Sequence, residues 1–342
     1  MRLLMITPSL KKAGPINVAL NICSHIKCID PTVTIDLLSL NPGELEADFE
    51  ACCDNVFIMS PFNAMRYLIN ERSYDIVHSH CVLPDLLNAV FSRNVNKVST
   101  LHNYIDVDYV FDKGYVKGTV LSLLHKFSLN KMNRVIACSE SVSKFVDKAF
   151  ALKTTFVRNG VVEGGGGGAM TNIQRYIIVG VFNKRKNHEV AIRGFVDAKK
   201  KNTELIVLGD GPLFHKIKND FAHERNVKFL GNVSEPRAYM SQSDVFLSSS
   251  CAEGLPMALI EAMSESLTYI LSDIDPHHEI HNMDVSAGMV GHNSPTFFSN
   301  AILSLDDENL VRMKALSKKV YSENLTATKM ASGYLRIYKG IS

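Results

Sequence analysis

In the stretch CAEGLPMALIEAM, residues 251–263, Glu253 and Glu261 stand eight positions apart, the first before a Gly-Leu-Pro turn and the second inside an apolar helical run. Pro256 suits the first helical position, because its ring presets φ and it lacks an N–H that would go unused there. The amides of Met257 and its neighbours are then left over, and a helix start with free donors and an aligned dipole attracts phosphate. Glu253, just before the turn, can accept hydrogen bonds from sugar hydroxyls and is expected to touch ligand alone. Glu261 lies about one and a half turns in and can look back at ribose hydroxyls. The two acids read as a matched pair on one ligand.

Further clusters have chemistry of the same kind. GVFNKRKN, residues 180–187, carries Lys184, Arg185 and Lys186 after an apolar strand, and three cations there suit a diphosphate that must be held as charge develops on it. Gly209 and Gly211 in LGDGPL make a tight turn where a backbone can approach a base or phosphate, and Gly14 in KKAGPINVALNI does so before a Pro-started helix. His102 in TLHN ends a strand. His78 and His80 alternate on a strand and so share a face, His80 being the one expected to line the site. HHEIH, residues 277–281, has the spacing H-E-x-H rather than the H-E-x-x-H that puts two histidines around zinc; no metal site is expected.

Short apolar β-rich segments (RLLMIT, TIDLLSL, DIVHSH, KVSTLH, RVIACS) alternate with helical-period segments (NVALNICSHI, PFNAMRYLINE, PDLLNAVFSR, SVSKFVDKAF). That alternation predicts βαβ units and a parallel sheet covered on both faces. It stops at Gly164–Gly168, five glycines that no helix or central strand tolerates, and restarts with RYIIVGVF, ELIVLGDG, VKFLG, DVFLSSS and TYILSD, with helices expected near 187–200 and 213–224. The chain therefore reads as an α/β protein of two Rossmann-like doubly wound domains facing a central cleft, residues 1–163 and 171–325. A Gly-rich linker, 164–170, is either natural or an engineered insert. A closing amphipathic helix, 326–342, would present Met330, Tyr334, Ile337 and Tyr338 to a domain surface, with the N-terminal domain one candidate.

With 342 residues the chain exceeds the ~250–300 at which single cores stop growing. Apolar residues at 46% and a net charge of +2 exclude a disordered chain and give no sign of a nucleic-acid binder. Seven cysteines without a C-x-x-C pair read as reduced, mostly buried thiols. The opening apolar run is too short for a signal peptide or membrane span, so a cytoplasmic protein is expected.

EGLPMALIEAM resembles the E-x7-E segment of the retaining glycosyltransferases of family four, which have the GT-B fold. PSLKKAGPINVALNI, YDIVHSH, TLHN, ACSESV, VRNGV, IIVGVFNKRKN, LGDGPL, VKFLGNV and SDIDPHHEI follow in the family's order. The resemblance implies transfer of a sugar from a nucleotide-sugar donor to a glycan or lipid-linked acceptor with retention, as in bacterial surface polysaccharide assembly, without a metal or other cofactor. The C-terminal domain would hold the donor through Arg185, Lys186, Gly209, Gly211, Glu253, Gly254, Leu255, Glu261 and Glu279, with Gly14 across the cleft; His102, Glu253 and Lys186 would stand at the reaction centre. Val181 departs from the pattern, which has arginine there, and Arg185 is the residue placed to compensate. Asp106 and Asp108 resemble a metal-binding D-x-D but lie in the acceptor domain and are read as incidental.

Two rivals remain open: a nucleotide-sugar epimerase of similar architecture, and a donor-binding protein of little turnover. The apolar stretch at 117–134, ringed by Lys117, Lys126, Lys131 and Arg134, is expected to pack against the sheet, the alternative being a peripheral rest on the inner face of an anionic membrane.

Overall fold

The computed structural model describes residues 1–71, 73–166 and 173–341. Two compact units emerge: residues 1–162 with 326–342, and residues 163–325. Of the expected linker, residues 167–170 lie outside the described residues.

The first unit has strands β1 (Arg2–Thr7), β2 (Thr34–Ser39), β3 (Asn55–Ile58), β4 (Ile76–His80), β5 (Asn96–Leu101), β6 (Arg134–Ala137) and β7 (Thr155–Phe156), in the order β3-β2-β1-β4-β5-β6-β7. Every pairing is parallel. Interior strands of such a sheet are covered on both faces and so read as continuous apolar runs; Leu3, Leu4, Met5 and Ile6 of β1 are all fully buried.

The second unit repeats the plan with β8 (Gln174–Val179), β9 (Thr203–Leu208), β10 (Val227–Gly231), β11 (Val245–Ser248), β12 (Thr268–Ser272) and β13 (Gly288–Gly291), ordered β10-β9-β8-β11-β12-β13. Both are doubly wound α/β sheets whose strand order reverses once, between β1 and β4 and between β8 and β11.

The last helix, Ala327–Lys339, belongs to the first unit and packs along the helix Gly14–Ile29. Thr326 caps it by accepting from Lys329 N, and Met330, Tyr334 and Tyr338 are buried while Ile337 is half-buried. Gly160 makes this return possible: a Cβ there would sit 2.2 Å from Thr326 O. Beside it Val161 bridges to Thr326 and accepts from Ala327 N at 2.8 Å.

Three local expectations are corrected. The helix expected at 117–134 spans Tyr115–Leu129, and Arg134 opens β6. The one expected at 213–224 is shorter, Phe214–Asp220. The cysteines are all free, yet only Cys23 and Cys138 are buried, and Cys28 and Cys251 are exposed.

Candidate functional site

The two segments richest in chemistry leave the carboxyl ends of β8 and β11, the neighbours at which the second sheet reverses its order, and such a switch point is where open α/β sheets bind ligands. The loop after β8 and the turn after β11 are tied together. Cys251 N donates to Arg185 O at 2.8 Å and Ser249 Oγ donates to Asn187 O at 2.7 Å.

Glu253 is buried, 6% exposed. Lys186 Nζ lies 2.5 Å from its Oε1, and Arg185 Nη1 lies 3.1 Å from its Oε2 and 2.8 Å from Ala252 O. Ser250 Oγ also donates to Oε1 at 2.7 Å. Burial alone would raise this carboxyl; Lys186, then Arg185, outweigh it and hold it down at about 2. The expectation that Glu253 touches only ligand is therefore corrected: it is the shared counter-ion of two cations, since a buried charge needs partners. Of the three cations, Lys184 is exposed and takes no part. Val181 is 54% exposed, with no charge of its own to offer.

Pro256 stands one position earlier than expected, as the N-cap of Met257–Ser264; its carbonyl accepts from Leu259 N and Ile260 N. Glu261 sits half-buried within this helix and, among the described residues, its carboxyl makes no hydrogen bond. Burial, opposed by Arg237, pushes it up to about 7. The two acids of the pattern thus occupy opposite electrostatic environments, one held in its charged form by paired cations, the other pushed toward its neutral form by burial.

Gly254 lies in the turn and the Leu255 side chain is buried. Glu279 is half-buried in the helix Asp275–His281. Gly209, at φ +119°, and Gly211 owe their lack of a side chain to the neighbouring loop: a Cβ on Gly209 would lie 2.0 Å from Gly180 O, and one on Gly211 2.7 Å from Phe182 O.

Several supporting residues escaped the sequence reading. Ser250 orients Glu253, and Ser272 Oγ holds Ser250 O at 2.6 Å. His188 and His277 are buried, which lowers them to about 3 and about 4, and both feel the charges of Lys186 and Glu253. The serine run after β11 was the available signal for the first; the histidines gave none. Of HHEIH, His277 Nδ1 donates to Ser272 O at 2.8 Å and His278 pairs with Asp273. Among the described residues no group of three His, Cys, Asp or Glu side chains is placed to hold a metal ion.

In the first unit, Gly14 opens the helix Gly14–Ile29 after β1, and His102 follows β5, half-buried. His80 does not line an open site as expected: it is fully buried on β4, and its Nδ1 lies 2.8 Å from His102 Nε2. His78 is also buried, held by Tyr338 Oη at 2.5 Å and Thr100 Oγ1 at 2.8 Å. Asp106 accepts from Ser122 Oγ at 2.7 Å, and Asp108 is buried.

The helix Tyr115–Leu129 buries its small and polar side. Gly118, Ser122, His125 and Ser128 face inward, and His125 Nε2 donates to the buried Asp85 Oδ2 at 2.7 Å. Its apolar side faces out, with Tyr115 77%, Val116 75% and Leu123 63% exposed and Val120, Leu124 and Phe127 alongside. Packing of this apolar stripe on the sheet is thereby excluded. Among the described residues no helix is long and apolar enough to cross a membrane.

Comparison with known proteins decides what this arrangement belongs to. Residues 171–321 match the family model "Glycosyl transferases group 1", and residues 50–163 match "Glycosyltransferase Family 4". The chain is a GT-B glycosyltransferase. The O-antigen biosynthesis glycosyltransferase WclY of Escherichia coli is 23% identical to this glycosyltransferase over 100% of the chain and 99% of its own length. The capsular polysaccharide biosynthesis glycosyltransferase CapH of Staphylococcus aureus is 26% identical over 86% and 87%. The fold of this glycosyltransferase superposes on Anabaena Alr3699/HepE, solved in complex with UDP-glucose, with a TM-score of 0.82 at 15% identity, covering 99% of this chain and all of that one.

Proposed function

We propose that this glycosyltransferase transfers a sugar, with retention of configuration, from a nucleotide-sugar donor to a glycan or lipid-linked acceptor in the assembly of a bacterial surface polysaccharide, at the inner face of the membrane. The observation that carries the reading is the convergence of Lys186 and Arg185 on Glu253 at the switch point of the second sheet. Two cations against one carboxylate leave a surplus of positive charge where a diphosphate would sit, next to the start of the helix Met257–Ser264. Glu253 and Glu279 would orient the sugar and Glu261 the ribose, and the turns at Gly209, Gly211, Gly254 and Leu255 would offer backbone to the nucleotide. Within the first unit, Gly14 and His102 would be the residues that touch substrate. Relatives named for O-antigen and capsule synthesis support the setting, and the UDP-glucose complex of a fold neighbour supports a nucleotide-sugar donor.

In this reading the acceptor hydroxyl attacks from the face that the diphosphate leaves. The bond from the anomeric carbon to phosphate oxygen breaks, the bond to the acceptor oxygen forms, and the acceptor's proton passes to the departing phosphate. Lys186 and Arg185 neutralise the charge that develops, the role a divalent ion has in other transferases, so the reaction is read as metal-independent. The outward apolar face of Tyr115–Leu129, with Lys117, Lys126 and Lys131 around it, would lie on an anionic membrane that holds the acceptor.

The test has two parts. UDP-, GDP- and ADP-sugars are screened for stabilisation of the protein, and the anomeric configuration of the product is then read by NMR, with and without a chelator. A donor that stabilises the chain and gives product of retained configuration supports the reading. Net conversion of the donor to its epimer with no acceptor present, or product of inverted configuration, overturns it.

A further inference from the structure

Three of the first unit's five histidines form one array, His78 and His80 fully buried and His102 half-buried beside them. The His78 and His80 ring centroids lie 4.5 Å apart and those of His80 and His102 lie 5.0 Å apart, stacked. His78 is pinned at both nitrogens, by Tyr338 from the returning helix and by Thr100 of β5, whose hydroxyl is shared with Tyr334 at 3.0 Å. His80 is thus wedged between a fixed ring and His102.

The contacts of His80 fix where its proton must be. Its Nε2 lies 3.1 Å from Met5 Sδ, and its Nδ1 lies 2.8 Å from His102 Nε2. A thioether sulfur has no hydrogen to give and can only accept, so Nε2 of His80 carries the proton. Burial, with His78 and His102 as neighbours, keeps His80 neutral, and burial also lowers His102 to about 3. A neutral imidazole has one donor and one acceptor, and Nδ1 of His80 is therefore an acceptor. His102 must supply the hydrogen to it from Nε2, and its own Nδ1 is left with a lone pair.

We propose that His80 is a positioning residue that fixes His102 as its Nε2–H tautomer, so that the Nδ1 lone pair of His102 is presented to a hydroxyl of the substrate. Met5 sets the tautomer of His80, and His80 sets that of His102. Behind a metal-ligating histidine the loss of such a second residue costs about ten- to a hundredfold, and we expect an effect near the lower end of that range here. The functional half of the proposal rests on the reading of His102 as a site residue; the tautomer assignment does not.

The test is long-range 1H–15N NMR on histidine-labelled protein, wild type and the variants Met5→Leu, His80→Phe and His80→Asn, with transfer kinetics alongside. In wild type His102 is expected as Nε2–H only. Met5→Leu removes the sulfur and His80→Phe removes the acceptor, and in both His102 should become a mixture of tautomers, with kcat down about tenfold or more and donor KM little changed. His80→Asn, whose amide oxygen can accept at the place of Nδ1, should recover the single tautomer and most of the rate. A wild-type His102 protonated on Nδ1, or a single Nε2–H tautomer that persists in Met5→Leu and His80→Phe, overturns the assignment. Should His102→Ala transfer sugar at the wild-type rate while the tautomer results hold, the reading of His102 as a site residue fails and the role proposed for its lone pair fails with it.

Discussion

Lys186 Nζ and Glu253 Oε1 lie 2.5 Å apart on adjacent loops, so the carboxylate expected to hold the sugar is also the counter-ion of the lysine expected to hold phosphate. The two roles compete. On the proposed function, a diphosphate that takes Lys186 and Arg185 would loosen Glu253 from them and free its acceptors for sugar hydroxyls. Donor binding and sugar orientation would then be coupled through one charge balance.

Glu253→Gln should therefore affect folding as well as transfer. It leaves two partly buried cations with one neutral partner, and breaking such a pair costs about 3–5 kcal/mol when it is well buried. The variant should melt below wild type, transfer poorly, and gain more stability from a nucleoside diphosphate than wild type does, because the added anion replaces the lost one. Thermal shifts with and without UDP check this. A variant that melts like wild type and responds equally to UDP removes the charge balance from the account.

The two acids of the E-x7-E pattern should titrate stability in opposite directions. Glu253 stands at about 2 in the folded chain against 4.5 ordinarily. The unfolded chain binds the extra proton between those values, so its contribution is complete above about pH 5 and is lost as pH falls through 2. Glu261 stands at about 7 against 4.5; here the folded chain holds the extra proton, and stability that is full below pH 4.5 falls as pH rises through 7. Glu261→Gln should thus melt increasingly above wild type between about pH 5 and 8, by an amount of order 1–3 kcal/mol at the upper end. A difference that stays constant over that range would show that Glu261 ionises as an ordinary surface acid.

Gly160→Ala should loosen the C-terminal helix from the first unit, since the new methyl would meet the Thr326 carbonyl at 2.2 Å and backbone must move. Overpacking of this kind costs about 1–3 kcal/mol. Hydrogen exchange of the amides in Ala327–Lys339 should quicken selectively, and the His78 contact with Tyr338 should weaken with it. Unchanged exchange there would mean that the chain crosses Gly160 less tightly than the structure has it.

What the sequence made legible follows from what each signal depends on. Buried parallel strands show as unbroken apolar runs, as in β1, β8 and β11, whereas β4 carries only Ile76 and Val77 before its buried His78, Ser79 and His80. Edge strands are short and half-exposed: Asn55–Ile58 and Gly288–Gly291 gave no such run and were missed. Spacing gave Glu253 and Lys186 as separate candidates, but their pairing spans 67 residues and depends on two loops meeting at the switch point. Periodicity showed that Tyr115–Leu129 has an apolar stripe. Which side faces the protein was decided by Asp85 and Tyr109, whose hydrogen bonds to His125 draw the polar side inward.

Arg185 is the residue proposed to compensate for Val181, and the pair offers the most direct test of the proposed phosphate cradle. Arg185 Nη1 reaches Glu253 Oε2 at 3.1 Å and Ala252 O at 2.8 Å, so on the proposed function the second cation that the resemblance implies at position 181 would come from position 185. Val181→Arg alone should then improve nucleoside-diphosphate affinity by less than tenfold, because the charge it adds is partly supplied. Arg185→Ala should weaken that affinity by about tenfold or more, equivalent to about 1.4 kcal/mol per decade. In the Arg185→Ala background, Val181→Arg should recover most of the loss. Position 181 is exposed enough to take the longer side chain without repacking the core. Calorimetry of UDP and of UMP on the four proteins isolates the β-phosphate: the loss and the recovery should appear with UDP and nearly vanish with UMP. Recovery that is equal for both nucleotides would place the two side chains away from the β-phosphate, and no loss in Arg185→Ala would take Arg185 out of the donor site.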